Sequence, residues 1–313
     1  MAYLKNNIAF DLGTSLVRIC KNGKLQTETP PLLEEKGKIF SIIANGKIAS
    51  LYGTEQFVKQ EIKKIQKPIL GFLHPSYTIL VSIPAGASEI DLRAYRDVME
   101  CAGAKQCFML QDCFITLTGL EVDIKNSVSM LVDFGAGKTS ITTLEGYKIL
   151  RNNLSDTTGD SIDEAIWLYL RREYNLEIDK TEAEKLKIQY ADLSDKTFEK
   201  YIAISGKEKH TDKSKSITIL NTEISNCVKK YIDYLVDSII RHYENLDEDI
   251  MQKVKGSGIY LIGRGFKLKG VIEYISKQIN ISPKSYNPDI YYLGIGLEKI
   301  QSNPGELYKY LII

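Results

Sequence analysis

Histidine and arginine are scarce in this 313-residue chain, and each scarcity removes a kind of function. The three histidines, His74, His210 and His242, are isolated, with no partner at metal-ligand spacing, so neither a zinc site nor a histidine acid–base pair is expected. Five cysteines occur, Cys20, Cys101, Cys107, Cys113 and Cys227. Their odd number and the lack of a CxxC pair argue against a disulfide framework and for reduced, buried thiols. Only 8 of the 41 basic residues are arginine, the side chain best suited to forked recognition of bases and phosphates. With 40 acidic residues the formal charge is +1, so no single-sign field draws the chain onto nucleic acid, and none is expected as a partner. No apolar run approaches the ~20 residues that cross a bilayer, and no charged-then-apolar leader opens the sequence. A cytoplasmic location is therefore expected.

What is present suffices for two ordinary domains, since 43% of the residues are hydrophobic. Ile8 to Leu12 and Leu16 to Cys20 read as strands joined by a tight turn, with another turn at Asn22-Gly23. A hairpin around Asn45-Gly46 and a helix from Thr54 to Gln66 follow, Pro68 ending the helix. Thr78 to Ile83 is a buried-looking strand, Ser88 a candidate N-cap, and Leu92, Tyr95, Met99 and Ala102 mark the inner face of the next helix. A short strand at Cys107 to Leu110 leads to a short helix. Further strands are expected at Val128 to Phe134, Thr139 to Leu144 and Ile259 to Ile262. Helices are expected at Asp160 to Tyr174, Thr181 to Tyr190 and Thr222 to Leu246, with a lysine-rich loop at 206–215 between two strands.

The informative feature is a recurrence: apolar strand, aspartate, glycine-containing turn, apolar strand, first near residue 8 and again near residue 128. It suggests two related halves. A turn of this kind exposes backbone N–H groups that suit a phosphate oxygen. Asp11 and Asp133, at the strand ends, are of the type that holds a hydrated Mg²⁺ beside phosphates. For Asp11 alone, a turn-capping carboxylate is an equal reading.

Asp11-Leu12-Gly13-Thr14, Asp133-Phe134-Gly135-Ala136-Gly137 and Leu261-Ile262-Gly263-Arg264-Gly265 resemble the two phosphate motifs and the adenosine motif of the actin superfamily. Ser82-Ile83-Pro84-Ala85-Gly86-Ala87-Ser88, Gly159 to Ile166 and Thr181 to Lys187 narrow the resemblance to the MreB family of bacterial cytoskeletal proteins. The lysine-rich, arginine-poor composition fits an AT-rich genome and a divergent paralogue from a wall-less bacterium. The resemblance implies an actin-like α/β fold, two related lobes around a nucleotide cleft, each with a small insertion subdomain. Residues 1–30, 76–128 and 289–313 would form one large subdomain and 129–178 with 236–288 the other, with insertions at 31–75 and 179–235. It also implies ATP or ADP with Mg²⁺ as ligands. The backbone of Gly13, Thr14, Ser15, Gly135, Ala136 and Gly137 would hold phosphates, and Glu184, Lys187, Gly263, Arg264, Gly265 and Phe266 the nucleoside. As a plain alternative, Glu184 and Lys187 are a surface ion pair.

Two positions depart from the family. Asp112 stands where a glutamate orients the attacking water, one methylene shorter, and a misplacement of order 1 Å can cost ~10²-fold in rate. Lys138 replaces a threonine after the second glycine turn, bringing a long cation to the phosphate site with nothing that positions a nucleophile. The plain alternatives are that Asp112 lines a helix start and Lys138 points to solvent. The function implied is a nucleotide-binding filament protein for cell shape or motility with weak or lost hydrolysis. Its partners would be other copies of itself, head to tail and in antiparallel pairs, and MreB-like paralogues. The apolar loop with Ile69, Leu70, Phe72 and Leu73 is a candidate weak membrane contact. An actin-fold ATPase or kinase and a non-polymerising membrane adaptor of the cell-division type are the rival readings.

Overall fold

The computed structural model describes residues 6–66, 76–195, 198–211, 213–287, 289–303 and 311. The chain divides into two compact units, the first made of residues 1–128, 142–152 and 290–313, the second of 129–141 and 153–289. The loop with Ile69, Leu70, Phe72 and Leu73, and His74 beside it, lie outside the described residues.

The first unit opens with the expected meander, β1 (Asn7–Leu12), β2 (Val17–Lys21) and β3 (Lys24–Thr29). Two small hairpins follow, β4 (Leu32–Glu35) with β5 (Lys38–Ser41), and β6 (Ile43–Ala44) with β7 (Lys47–Ile48). Helix α1 (Leu51–Ile65) starts before the Thr54 expected from periodicity because the Ser50 side chain accepts a hydrogen bond from the Gly53 N–H and caps it there. Then come β8 (Thr78–Ile83), α2 (Glu89–Cys101), β9 (Gln106–Gln111) and α3 (Asp112–Gly119). Ser88 caps α2 as expected, in a reciprocal capping box with Asp91. Leu33, Ile42, Ile43, Phe57, Val58 and Ile62 join Ile8, Phe10 and Ile79 in a single apolar core, so the 31–66 stretch is anchored on the first sheet.

The second series comprises β10 (Val128–Phe134), β11 (Thr139–Glu145), β12 (Lys148–Ser155), α4 (Gly159–Glu173), β13 (Leu176–Glu177) and α5 (Lys180–Tyr190). It continues through β14 (Tyr201–Glu208), β15 (Ser214–Leu220), α6 (Asn221–Glu244), α7 (Glu248–Ser257), β16 (Ile259–Ile262), α8 (Val271–Gln278) and β17 (Pro283–Ser285). Finally α9 (Tyr292–Ser302) returns to the first unit. Half of the lysine-rich 206–215 stretch belongs to strands, 206–208 to β14 and 214–215 to β15, because the inward alternation of Ile202 and Ile204 carries the pairing on past them. Among the described residues, no helix is long and apolar enough to cross a membrane.

The two large sheets repeat one plan. Their strand orders are β3-β2-β1-β8-β9 and β12-β11-β10-β16-β17. In each, the strand that ends in the aspartate-bearing segment is central and has a parallel neighbour, β8 in the first sheet and β16 in the second. Ile8, Phe10, Ile79 and Val81 on one face and Ala9 and Leu80 on the other are fully buried, as befits central strands covered on both faces. One smaller expectation, that the thiols are buried, is corrected at one position. Cys101, the last residue of α2, is exposed, although burial holds the Cys20 and Cys107 thiols up at about 12. Among the histidines, His242 is buried, its Nδ1 2.7 Å from Asn153 Oδ1.

Candidate functional site

Each sheet carries its aspartate at the penultimate residue of the central strand, Asp11 on β1 and Asp133 on β10, and each strand then enters a glycine turn. The turns are built alike. A Cβ on Gly13 would lie 2.6 Å from the Leu16 carbonyl oxygen, and one on Gly135 would lie 2.7 Å from the Lys138 carbonyl oxygen. Only glycine lets the chain fold back this closely. Thr14 Oγ1 accepts from the Gly46 N–H at 2.9 Å, tying the first turn to the β6–β7 hairpin, while Ser15 is exposed.

In the second turn the Gly135 N–H donates to the Lys138 carbonyl at 3.0 Å. Gly135 therefore closes the turn with the N–H that the resemblance had assigned to a phosphate. The first residues of α4 lie on the same turn, the Gly159 N–H donating to Gly135 O at 3.0 Å and the Asp160 N–H to Ala136 O at 2.8 Å. Lys138 is half-buried.

The third glycine segment sits beside the second turn. Asp133 is in register with Ile262, so Gly263 emerges next to the Asp133 carboxylate. Gly263 has φ +101, and a Cβ there would be 2.5 Å from Phe134 O and 2.8 Å from Asp133 Oδ1. Gly263→Ala should therefore destabilise the second unit by about 1–3 kcal/mol from backbone strain. A urea melt that matches wild type would rule this out. Arg264 is exposed, whereas Phe266 is buried with its ring edge-on to Phe134, 5.6 Å between centroids, so its side chain serves the core.

Lys187 and Glu184 separate. Glu184 is exposed; Lys187 is buried, its Nζ 2.8 and 2.9 Å from the two Asp163 oxygens and 2.9 Å from the Gly159 carbonyl. The Oδ1 contact lacks hydrogen-bond geometry and is ionic only. Burial pushes the Asp163 carboxyl up to about 6, and Lys187 pulls it back from going further. Lys187 thus acts on the α4 start that supports the second turn, a role invisible in the sequence.

Asp112 is the first residue of α3, and its Oδ1 accepts from the Ala85 N–H at 3.0 Å. The Ala85 carbonyl accepts from Asn152 Nδ2 at 3.1 Å, so the peptides on either side of Ala85 are both held. Asp11 is likewise engaged, accepting from the Tyr291 hydroxyl at 2.7 Å with the Arg18 guanidinium 3.7 Å away. A carboxylate already facing a fixed cation fits poorly as a holder of a hydrated dication. Arg18 and Tyr291 were not singled out from sequence, because their relevance depends on strand register and on the chain returning from residue 290.

A five-stranded plan used twice, with an aspartate and glycine turn ending each central strand, defines an actin-like protein. The fold is shared at TM-score 0.87 with MreB 5 of Spiroplasma citri bound to AMPPNP, at 18% identity over 99% of both chains. It is shared at 0.76 with the MamK double helical filament, at 16% identity over 95% of this chain and 99% of that one. In sequence the chain is similar to the cell shape-determining protein MreB of Escherichia coli K12, 23% identical over 269 residues, 84% of this chain and 77% of the relative. Residues 34–306 match the family described as MreB/Mbl protein, and the chain belongs to that family.

Proposed function

We propose that the chain is a bacterial actin homologue that binds ATP or ADP and polymerises into cytoskeletal filaments, hydrolysing ATP slowly or not at all. The observation that carries the reading is the repetition of one glycine-turn device at the end of the central strand in both sheets. The nucleotide seen with MreB 5 of Spiroplasma citri and the filament formed by MamK support carrying those two properties over.

In this reading, the N–H groups around Gly13, Thr14 and Ser15 and around Ala136 and Gly137 receive phosphate oxygens. Gly263, Arg264 and Gly265 would flank the nucleoside together with the exposed Glu184, while Lys187 and Phe266 support from behind. Asp133, at the end of β10, would hold a hydrated Mg²⁺ through its waters. The large subdomains are 1–30, 76–128 and 289–313, and 129–178 with 236–288, with insertions at 31–75 and 179–235. A head-to-tail contact between copies does not close on itself and so makes a filament. Antiparallel pairing, copolymers with paralogues and a membrane contact through Ile69, Leu70, Phe72 and Leu73 extend the same proposal. The service is cell shape or motility from the cytoplasm.

Slow hydrolysis follows from two side chains. The Asp112 carboxylate is short and braces the Ala85 peptide through Oδ1, and Lys138 cannot position water as a hydroxyl can. High-speed pelleting with and without ATP, alongside phosphate release, tests the whole reading. Sedimenting polymer with little phosphate release is expected; substantial turnover by soluble monomers would reject it. Asp112→Glu combined with Lys138→Thr should raise phosphate release by up to ~10²-fold, and an unchanged rate would show that the two positions do not limit hydrolysis.

A further inference from the structure

Helix α5 and the turn Arg264–Lys267, which carry the exposed Glu184 and Arg264, come from separate stretches of chain. A compact clasp joins them just past the point where each ends. Asp192, beyond the last residue of α5, forms an isolated parallel bridge with Lys269, beyond the end of the turn. The Leu193 N–H donates to the Lys269 carbonyl at 2.9 Å, and the Lys269 ammonium donates to Asp192 Oδ2 at 2.5 Å. Asp192 Oδ1 accepts from the Ser194 N–H at 2.9 Å and from the Ser194 hydroxyl at 2.5 Å. On its other side, the Asp192 N–H donates to Ser225 Oγ of α6 at 3.0 Å. The Asp192 side chain is only 10% exposed, so the pair is screened less than two open charges would be. Burial works to raise the Asp192 carboxyl, and Lys269 and Ser194 more than offset it, holding it below its ordinary range. Gly270, at φ +74, permits the close approach. A Cβ there would lie 2.3 Å from the Ser194 nitrogen and 2.6 Å from the Leu193 carbonyl carbon, both backbone atoms that cannot swing aside.

Two pins thus hold α5. Lys187 fixes it to Asp163 and Gly159 at the start of α4, beside the second glycine turn, and the clasp fixes its end to the segment that leaves Arg264–Lys267. A polyphosphate on the second turn needs only the first pin. A nucleoside that meets both Glu184 and Arg264 needs both, because walls free to drift must be ordered when the ligand binds, at a loss of affinity. We propose that the Asp192–Lys269 clasp sets the spacing of the two nucleoside walls, making Asp192, Lys269 and Gly270 positioning residues for the nucleoside and not for the phosphates. This deepens the nucleotide reading above and rests on it.

Binding of ATP and of inorganic tripolyphosphate to the full chain, both with Mg²⁺, is to be measured calorimetrically, alongside urea melts, for the wild type and for Asp192→Ala, Gly270→Ala, Lys269→Met and Lys269→Arg. Asp192→Ala and Gly270→Ala should each weaken ATP by more than about fivefold while tripolyphosphate stays within about twofold. Lys269→Met keeps the backbone bridge and should weaken ATP by about threefold, whereas Lys269→Arg keeps the cation and should match wild type within about twofold. A merely structural clasp would lower the urea midpoints and leave the ratio of ATP to tripolyphosphate affinity unchanged, and that result overturns the proposal. Lys269 is 68% exposed, so Lys269→Met folds even where the other two fail, and wild-type ATP affinity in that variant overturns the proposal as well. If the wild type binds ATP no more tightly than tripolyphosphate, the nucleoside part of the nucleotide reading itself fails and takes this inference with it.

Discussion

Gly296→Ala is expected to destabilise the first unit by about 3 kcal/mol or more, the upper end of what overpacking costs. Helices α3 and α9 meet backbone to backbone: a Cβ on Gly296 would lie 1.8 Å from Ile115 O, and one on Gly119 would lie 1.9 Å from Tyr292 O. Neither obstacle is a side chain that can swing away. The helices would have to separate, opening the packing of a segment whose Cys113, Phe114, Ile115, Thr116, Leu117 and Gly119 are all buried. Gly256 in α7 provides the contrast, because nothing lies within 4 Å of a Cβ built there. Gly256→Ala should stabilise by roughly 0.5–1 kcal/mol through helix propensity alone. Urea melts of the two variants should thus move in opposite directions. A Gly296→Ala midpoint equal to that of wild type would show that the helices are not in this close contact.

Lys187→Met should cost about 3–5 kcal/mol at pH 8 and clearly less at pH 5, because it leaves a buried carboxylate without its partner. The sign follows from Asp163. Burial raises its folded carboxyl to about 6 from an ordinary 3.8, so the folded chain binds the proton more tightly than the unfolded one. Stability from this group is fully present below about pH 4 and is lost as pH rises through about 6. Lys187 opposes the rise, while Glu184 and Asp160 add to it. Removing the ammonium drives the carboxyl higher still, and at pH 8 the variant must either ionise Asp163 unpaired or hold its proton against solution. At pH 5 the carboxyl is mostly protonated in both proteins. Lys187→Met combined with Asp163→Asn should recover most of the loss at pH 8, since an amide needs no counter-charge. A loss larger at pH 5 than at pH 8 would contradict the assignment.

Much of the secondary structure was legible because its causes are local. Ser88 followed three residues later by Asp91 is a complete capping signal, and the strand at Ile259 to Ile262 is an unbroken apolar run before glycine. The β4–β5 hairpin escaped because Lys36 turns there with positive φ, an unusual choice beside Gly37. Helix α9 escaped because its Gly294 and Gly296 argue against a helix in isolation, while close packing on α3 requires a bare backbone at Gly296.

The site divides along the same line. The sequence alone determined that an aspartate and a glycine turn end two strands, because an apolar run of period-two character and a glycine that must fold back are properties of neighbouring residues. Only the tertiary structure decided what those aspartates face. Strand register set Arg18 opposite Asp11, the return of the chain through residue 291 placed a tyrosine hydroxyl on the same oxygen, and the packing of α5 on α4 drew Lys187 into a buried pair with Asp163. Charge partners far apart in the chain are chosen by how sheets and helices stack, which no local pattern encodes.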